Sequence, residues 1–138
     1  MGLNVMGRVA LAACAVMALA ATEAKAFCIY NYSSYPMKIT QSVDEYGNFL
    51  RAGMDKVVPS RGGKECCNWQ DRDCNPGGER TSKVYFRHYV YNAINNDIGN
   101  YRCNEQWLAL ELQAGGWAEI YDDPGNRWGL KCVTYRAN

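Results

Sequence analysis

Six cysteines, Cys28, Cys66, Cys67, Cys74, Cys103 and Cys132, follow an amino-terminal segment with the form of an export signal, and nothing else in the sequence constrains the fold as much. Arg8 precedes an apolar run from Val9 to Ala21, and a short polar stretch leads to Ala24-Lys25-Ala26, a small-x-small cleavage pattern ahead of Phe27. Residues 1–26 therefore read as a secretory signal peptide and residues 27–138 as a single domain of 112 residues. A spanning helix needs about 20 apolar residues. The run is shorter, and Glu23 and Lys25 follow it at once, so no transmembrane segment is expected. Leu11-Ala12-Ala13-Cys14 matches the pattern at which bacterial lipoproteins are cut and lipidated. The stretch between Arg8 and Cys14 is nevertheless too short for a signal core of roughly 7 or more residues. A secreted protein, extracellular or periplasmic, is expected.

An even number of cysteines in an exported chain of this size implies three disulfides. Six cysteines allow 15 pairings, and setting aside the three that join the neighbours Cys66 and Cys67 still leaves 12, so the connectivity is open. On a strand, Cys66 and Cys67 point to opposite faces. One is expected to staple the core while the other reaches a surface loop or another molecule. Replacing the inward cysteine is then expected to prevent folding, and replacing the outward one to spare the fold. With no Cys-x-x-Cys spacing and a single histidine, the cysteines do not form a zinc pattern, and no metal or cofactor is expected.

The expected mature chain carries 13 Lys+Arg against 13 Asp+Glu, because Arg8, Lys25 and Glu23 leave with the signal. That balance gives no warrant for a nucleic-acid or acidic-membrane partner. All 17 aromatic residues fall in the mature part, where Ile, Leu and Val together number only 16, so the core must lean on aromatic rings and disulfides. There is no Gly-rich phosphate loop, which argues against a nucleotide enzyme.

Alternation of apolar and polar residues, bounded by Gly, Pro, Asn and Asp, predicts an all-β chain. Strands are expected at Phe27–Tyr32, Met37–Val43, Lys64–Trp69, Lys83–Tyr91, Trp107–Gln113, Trp117–Tyr121 and Leu130–Tyr135, with shorter strand pieces between Phe49 and Val58. Met37, Ile39, Gln41 and Val43 share one face, and so do Val84, Phe86, His88 and Val90. Glu45-Tyr46-Gly47-Asn48 reads as a turn, and residues 92–106 as a polar surface loop. About eight short antiparallel strands fit a compact disulfide-stapled β-sandwich. Val58–Glu65 and Leu112–Glu119 echo each other, each running through a Gly-Gly turn into a strand, and both turns are expected to need residues with positive φ.

Several groups of residues are candidates for chemistry. A hairpin turning at Ala114-Gly115-Gly116 would set Leu112 opposite Ala118, Leu110 opposite Ile120, and Glu111 opposite Glu119. Carboxylates beginning about 5 Å apart either share a neighbouring cation, such as Lys131 or Lys83, or serve as a glycosidase pair with Trp107 and Trp117 stacking on sugar. Asp71-Arg72-Asp73-Cys74-Asn75-Pro76-Gly77 has calcium-loop oxygen spacing, with Glu79, Asp122 and Asp123 as further oxygens. Pro76 stands where an EF-hand needs Gly, and Ser82 where it needs Glu. His88, between Phe86 and Val90, is expected to be a hydrogen-bonded core residue, and no catalytic residue is assigned. Asn31-Tyr32-Ser33 is a glycosylation sequon. Tyr85, Arg87, Tyr89 and Tyr91 share one strand face and, with Trp107 and Trp117, form the expected contact surface, because tyrosine offers wide contact area at low rotamer entropy.

The run Val57-Val58-Pro59-Ser60-Arg61-Gly62-Gly63-Lys64-Glu65-Cys66-Cys67-Asn68-Trp69, followed by Asp73-Cys74-Asn75-Pro76-Gly77-Gly78, resembles the octin-like proteins, small exported disulfide-rich proteins of bacteria and early-diverging fungi. The resemblance covers about 30 central residues. It implies a structural role, since in fungi such proteins build disulfide-linked crystals, and it implies a vacuolar location if the source is fungal. Ile29-Tyr30-Asn31-Tyr32-Ser33-Ser34-Tyr35-Pro36 also resembles the opening of thaumatin-like β-sandwiches, which are longer and richer in cysteine.

The expected function is that of a secreted, non-enzymatic structural or self-assembling protein acting through surface contacts and disulfide-stabilised assembly, to which near-zero charge contributes. A carbohydrate-binding module is the alternative, drawn from four Trp and ten Tyr set among Asn, Asp and Gln. A small glycosidase using Glu111 and Glu119 is the third reading.

Overall fold

Alternation along short segments builds eight strands: β1 (Ala26–Asn31), β2 (Met37–Ser42), β3 (Asp55–Val58), β4 (Gly63–Asn68), β5 (Lys83–Val90), β6 (Leu110–Gln113), β7 (Trp117–Asp122) and β8 (Leu130–Tyr135). The structure is a computed structural model and describes residues 26–91, 103 and 109–136. The expected signal therefore lies outside the described residues except for Ala26, which opens β1. The loop expected over 92–106 lies outside them except for Cys103, and Trp107 lies outside them entirely.

The strands form two four-stranded sheets, ordered β4-β1-β7-β8 in the first and β3-β2-β5-β6 in the second. The all-β expectation holds, with one correction to the expected antiparallel strands: β1 and β7 pair in parallel. Six of the seven expected strands match within a residue or two, and Trp107–Gln113 survives as the shorter β6. Inward residues of the first sheet (Phe27, Ile29, Ala118, Ile120, Leu130) meet those of the second (Met37, Ile39, Val58, Val84, Phe86, Leu110, Leu112), all buried. Phe27 and Phe86 meet edge to face at the centre, ring centroids 5.3 Å apart. Val43 departs from its expected face and is 54 % exposed. Gln41 and Ser42 are both buried, so alternation breaks at the end of β2 as the chain leaves the sheet.

The two Gly-Gly segments are not hairpins. β3 to β4 and β6 to β7 both cross from the second sheet to the first, so the sequence echo marks two corners of the sandwich. Only the first corner uses positive φ, at Arg61 (57°) and Gly62 (103°). Gly63 and Gly116 are required for close approach instead: an added Cβ would lie 2.2 Å from the Pro59 carbonyl oxygen and 2.1 Å from that of Tyr135.

Three disulfides brace the sandwich: Cys28–Cys66, Cys67–Cys74 and Cys103–Cys132. Cys66 and Cys67 face opposite ways, as expected, and the inward one is the core staple, but the outward one reaches neither a surface loop nor another molecule. The outward Cys66 bonds its cross-strand neighbour Cys28, while Cys67, packed against the core, reaches the buried Cys74 in the loop. All six cysteines are used within the chain, which corrects the expectation of a cysteine reaching another molecule.

Buried carboxamides tie down the loops. Gln41 accepts a bond from Met54 N and donates to the Cys74 carbonyl, and Asn75 donates to the Trp69 and Glu79 carbonyls. Asn31 is wholly buried; it donates to the Tyr35 and Val58 carbonyls and accepts from both the backbone N–H and the hydroxyl of Ser33. The Asn31 sequon is thus occupied by structure, with no room for a glycan on its amide nitrogen.

Candidate contact surface

Separate sheets for β6 and β7 dissolve the expected Glu111–Glu119 pair. Glu111 stands opposite Tyr85 in the second sheet and bonds Lys83 at 3.2 Å, one of the two lysines expected as a neutralising partner. Glu119 stands in the first sheet between Tyr30 and Val133.

Around Glu119 the first sheet assembles an outward aromatic face. Trp117, Glu119 and Tyr121 alternate outward along β7, because Ala118 and Ile120 point into the core. The parallel pairing of β1 with β7 brings Tyr30 beside Glu119, and the antiparallel pairing of β8 sets Tyr135 opposite Trp117. Trp117 and Tyr135 stack at 4.6 Å between centroids, 9° from parallel. Tyr30, Tyr32 and Tyr121 form a second stack, with neighbours 6.2 and 5.2 Å apart. Lys64, opposite Tyr30 on β4, lies 6.0 Å from that ring, and Lys131 stands opposite Tyr121. The Cys28–Cys66 bond sits on this same face beside Trp117.

Glu119 joins the two stacks. Its Oε1 accepts from Trp117 Nε1 at 3.2 Å, and its Oε2 accepts from the hydroxyls of Tyr121 and of Tyr135, the latter at 3.3 Å. Bonds to an ionised acceptor are the stronger kind, so one carboxylate fixes three rings and pre-organises the surface. Through its hydrogen bond above all, Glu119 pushes the Tyr121 hydroxyl up to about 12. Burial first, and Glu119 next, raise Tyr135 as well.

This shift sets a testable pH response. A group whose folded value is raised holds its proton longer in the folded protein, so the contribution is whole below the ordinary tyrosine value of 10.0 and lost as pH rises through about 12. Ultraviolet titration of phenolate absorbance should show Tyr121 titrating near pH 12, with its value returning toward 10 in Glu119→Gln. An unchanged titration curve in that variant would refute the linkage.

The outer face of the second sheet carries the other expected contact residues. Tyr85, Tyr89 and Tyr91 are half-buried, and Arg87 is exposed with its stem crossing Gly47. Neighbouring charges there are paired, Lys38 with Asp55 at 2.7 Å and Lys83 with Glu111. Trp117 belongs to the opposite sheet, so the described contact residues divide between two faces. Tyr30, Tyr32, Tyr121 and Tyr135 were missed from sequence; the alternation of Trp117, Glu119 and Tyr121 was the available signal.

His88 has the expected structural place. It is 8 % exposed, and its Nε2 accepts the backbone N–H of Cys103 at 3.0 Å. The aspartates considered for calcium hold backbone: in the calcium-like segment Asp71 accepts from Asp73 N, and of the two further oxygens Asp123 accepts from Gly125 N in its own loop while Asp122 accepts from Ser34 across the fold. Three disulfides, with no helix among the described residues long and apolar enough to cross a membrane, are compatible with an exported protein. Comparison of the chain with protein-family models, with curated proteins and with solved structures finds no match, so the octin-like and thaumatin-like resemblances rest on the residues quoted for them.

Proposed function

We propose that this is a secreted, non-enzymatic protein that works by self-association, and that the aromatic face of the first sheet is its contact surface. The observation that carries the reading is Glu119 holding Trp117, Tyr121 and Tyr135 in fixed positions on an outward sheet face. Aromatic side chains held in place before contact lose little conformational freedom on binding, which is the usual condition for a strong interface anchor. The balanced charge of the expected mature chain adds no long-range repulsion between copies.

The same geometry favours a protein partner over a glycan. A sugar needs open ring faces and polar groups free to meet its hydroxyls, whereas these rings stack on one another and the Trp117 N–H and two tyrosine hydroxyls are engaged by Glu119. Sedimentation of the oxidised protein should show concentration-dependent oligomers, and Trp117→Ala/Tyr135→Ala should weaken association at least tenfold. A strict monomer at high concentration would defeat the proposal. Glycan binding by that monomer, lost in the same double variant, would establish the carbohydrate-binding reading in its place.

A further inference from the structure

The six most exposed large hydrophobic side chains among the described residues fall into two groups. Tyr32 (44 %), Trp117 (36 %) and Tyr135 (36 %) belong to the aromatic face of the first sheet. Val43 (54 %), Tyr46 (70 %) and Phe49 (59 %) all belong to the short tip that continues β2 out of the second sheet.

The tip is a built structure. Val43 N donates to the Asn48 carbonyl at 2.8 Å, Leu50 N donates to the Gln41 carbonyl at 3.1 Å, and Ser42 bridges Phe49, so the segment is a small antiparallel hairpin. Asp44 holds its turn by accepting from the backbone N–H groups of Tyr46 and Asn48 and from the Asn48 side chain, the last of which chiefly holds its carboxyl below the ordinary range. Gly47 takes a φ of 80°, and the Arg87 stem packs across it. A rigid hairpin that displays three large apolar side chains to water has left apolar surface uncovered, the usual mark of an interaction site.

We propose that the tip of one copy docks on the aromatic face of the next, so that copies add head to tail into open chains. This rests on the self-association reading above and adds its geometry. Two different patches, carried by different sheets, make a heterologous contact, and such a contact extends unless its rotation closes a ring. Charge supports the pairing: Val43–Phe49 includes Asp44 and Glu45, with Arg87 across Gly47 as the cation packed on it, while Lys64 and Lys131 stand at the margins of the aromatic face, where the Glu119 carboxylate is already engaged.

Complementing variants test the geometry. Tyr46→Asp removes the tip and keeps the face, and Trp117→Asp does the reverse; Phe49→Ser and Tyr32→Ser form a second pair should either first variant fail to fold. Sedimentation velocity of the full oxidised chain should show a growing series for the unsubstituted protein, monomer for each variant alone, and one discrete dimer when the two are mixed in equal amounts. Tyr46→Asp that still dimerises while Trp117→Asp does not would mean a closed face-to-face dimer, overturning the head-to-tail inference and leaving the contact face intact. An unsubstituted chain that stays monomeric overturns both. Mixed variants that remain monomeric beside an associating unsubstituted chain also overturn the inference.

Discussion

The Cys28→Ala/Cys66→Ala protein is expected to lose about 4 kcal/mol of stability and the Cys67→Ala/Cys74→Ala protein about 2 kcal/mol, although the first pair lies on the outer face and the second against the core. In the chain-entropy picture, a crosslink stabilises by restricting the unfolded chain in proportion to the logarithm of the loop it closes. The outer bond spans 38 residues and the inner one only 7. Burial of the sulfur does not enter that quantity. A loss of about 4 kcal/mol is a large share of the roughly 5 to 15 kcal/mol available to a domain of this kind. Urea unfolding followed by tryptophan fluorescence gives both numbers. A greater loss for the inner pair would show that packing at Cys74 outweighs loop closure, and would restore the ranking expected from sequence alone.

Asn31→Ala is expected to cost about 3 to 5 kcal/mol, from four lost hydrogen bonds, with the buried Val58 carbonyl losing its amide donor and the Tyr35 carbonyl keeping only the Ser33 hydroxyl. Asn31→Asp should be at least as damaging, because a carboxylate keeps the shape but turns two donating contacts with the Tyr35 and Val58 carbonyls into repulsions. Ser33→Ala, which removes a hydroxyl from the same cluster but leaves the Asn31 amide in place, should cost only about 1 kcal/mol. Equal losses for Asn31→Ala and Ser33→Ala would refute the central role of the amide. Protein expressed in a glycosylating host should carry Asn31 bare when folded, as intact mass before and after glycosidase treatment would show.

The strands were legible in sequence because period-two alternation is local. Val84, Phe86 and His88 declare their face without reference to anything beyond β5. The turn at Glu45–Asn48 was legible for the same reason. The sheet-to-sheet corners were not, since a Gly-Gly turn followed by alternation reads alike whether the next strand returns within its own sheet or crosses to the other. That choice is made by packing, and it moved Glu111 and Glu119 apart. Gly116 illustrates the limit: its need for space comes from the Tyr135 carbonyl, a partner on another strand. Of the aromatic face, Trp117, Glu119 and Tyr121 share an evident alternation. Their association with Tyr30, Tyr32 and Tyr135 follows from pairings distant along the chain.

β1 lies between β4 and β7, pairing antiparallel with one and parallel with the other. Its partner on one side is complete by Asn68, but on the other side Cys28 meets Trp117, 89 positions later in the chain. Non-local pairings of this span make folding slow, because the chain must close a long loop before the contact repays it. During synthesis, which delivers the amino end first, β1 and β4 can pair while the far edge of β1 still presents unpaired N–H and C=O groups. Such an edge recruits strands from other chains. Truncation before residue 117 would leave it permanently open, so the carboxy-terminal segment acts as the closing strand of a sheet begun at the opposite end, and its loss should yield aggregates rather than a smaller folded domain.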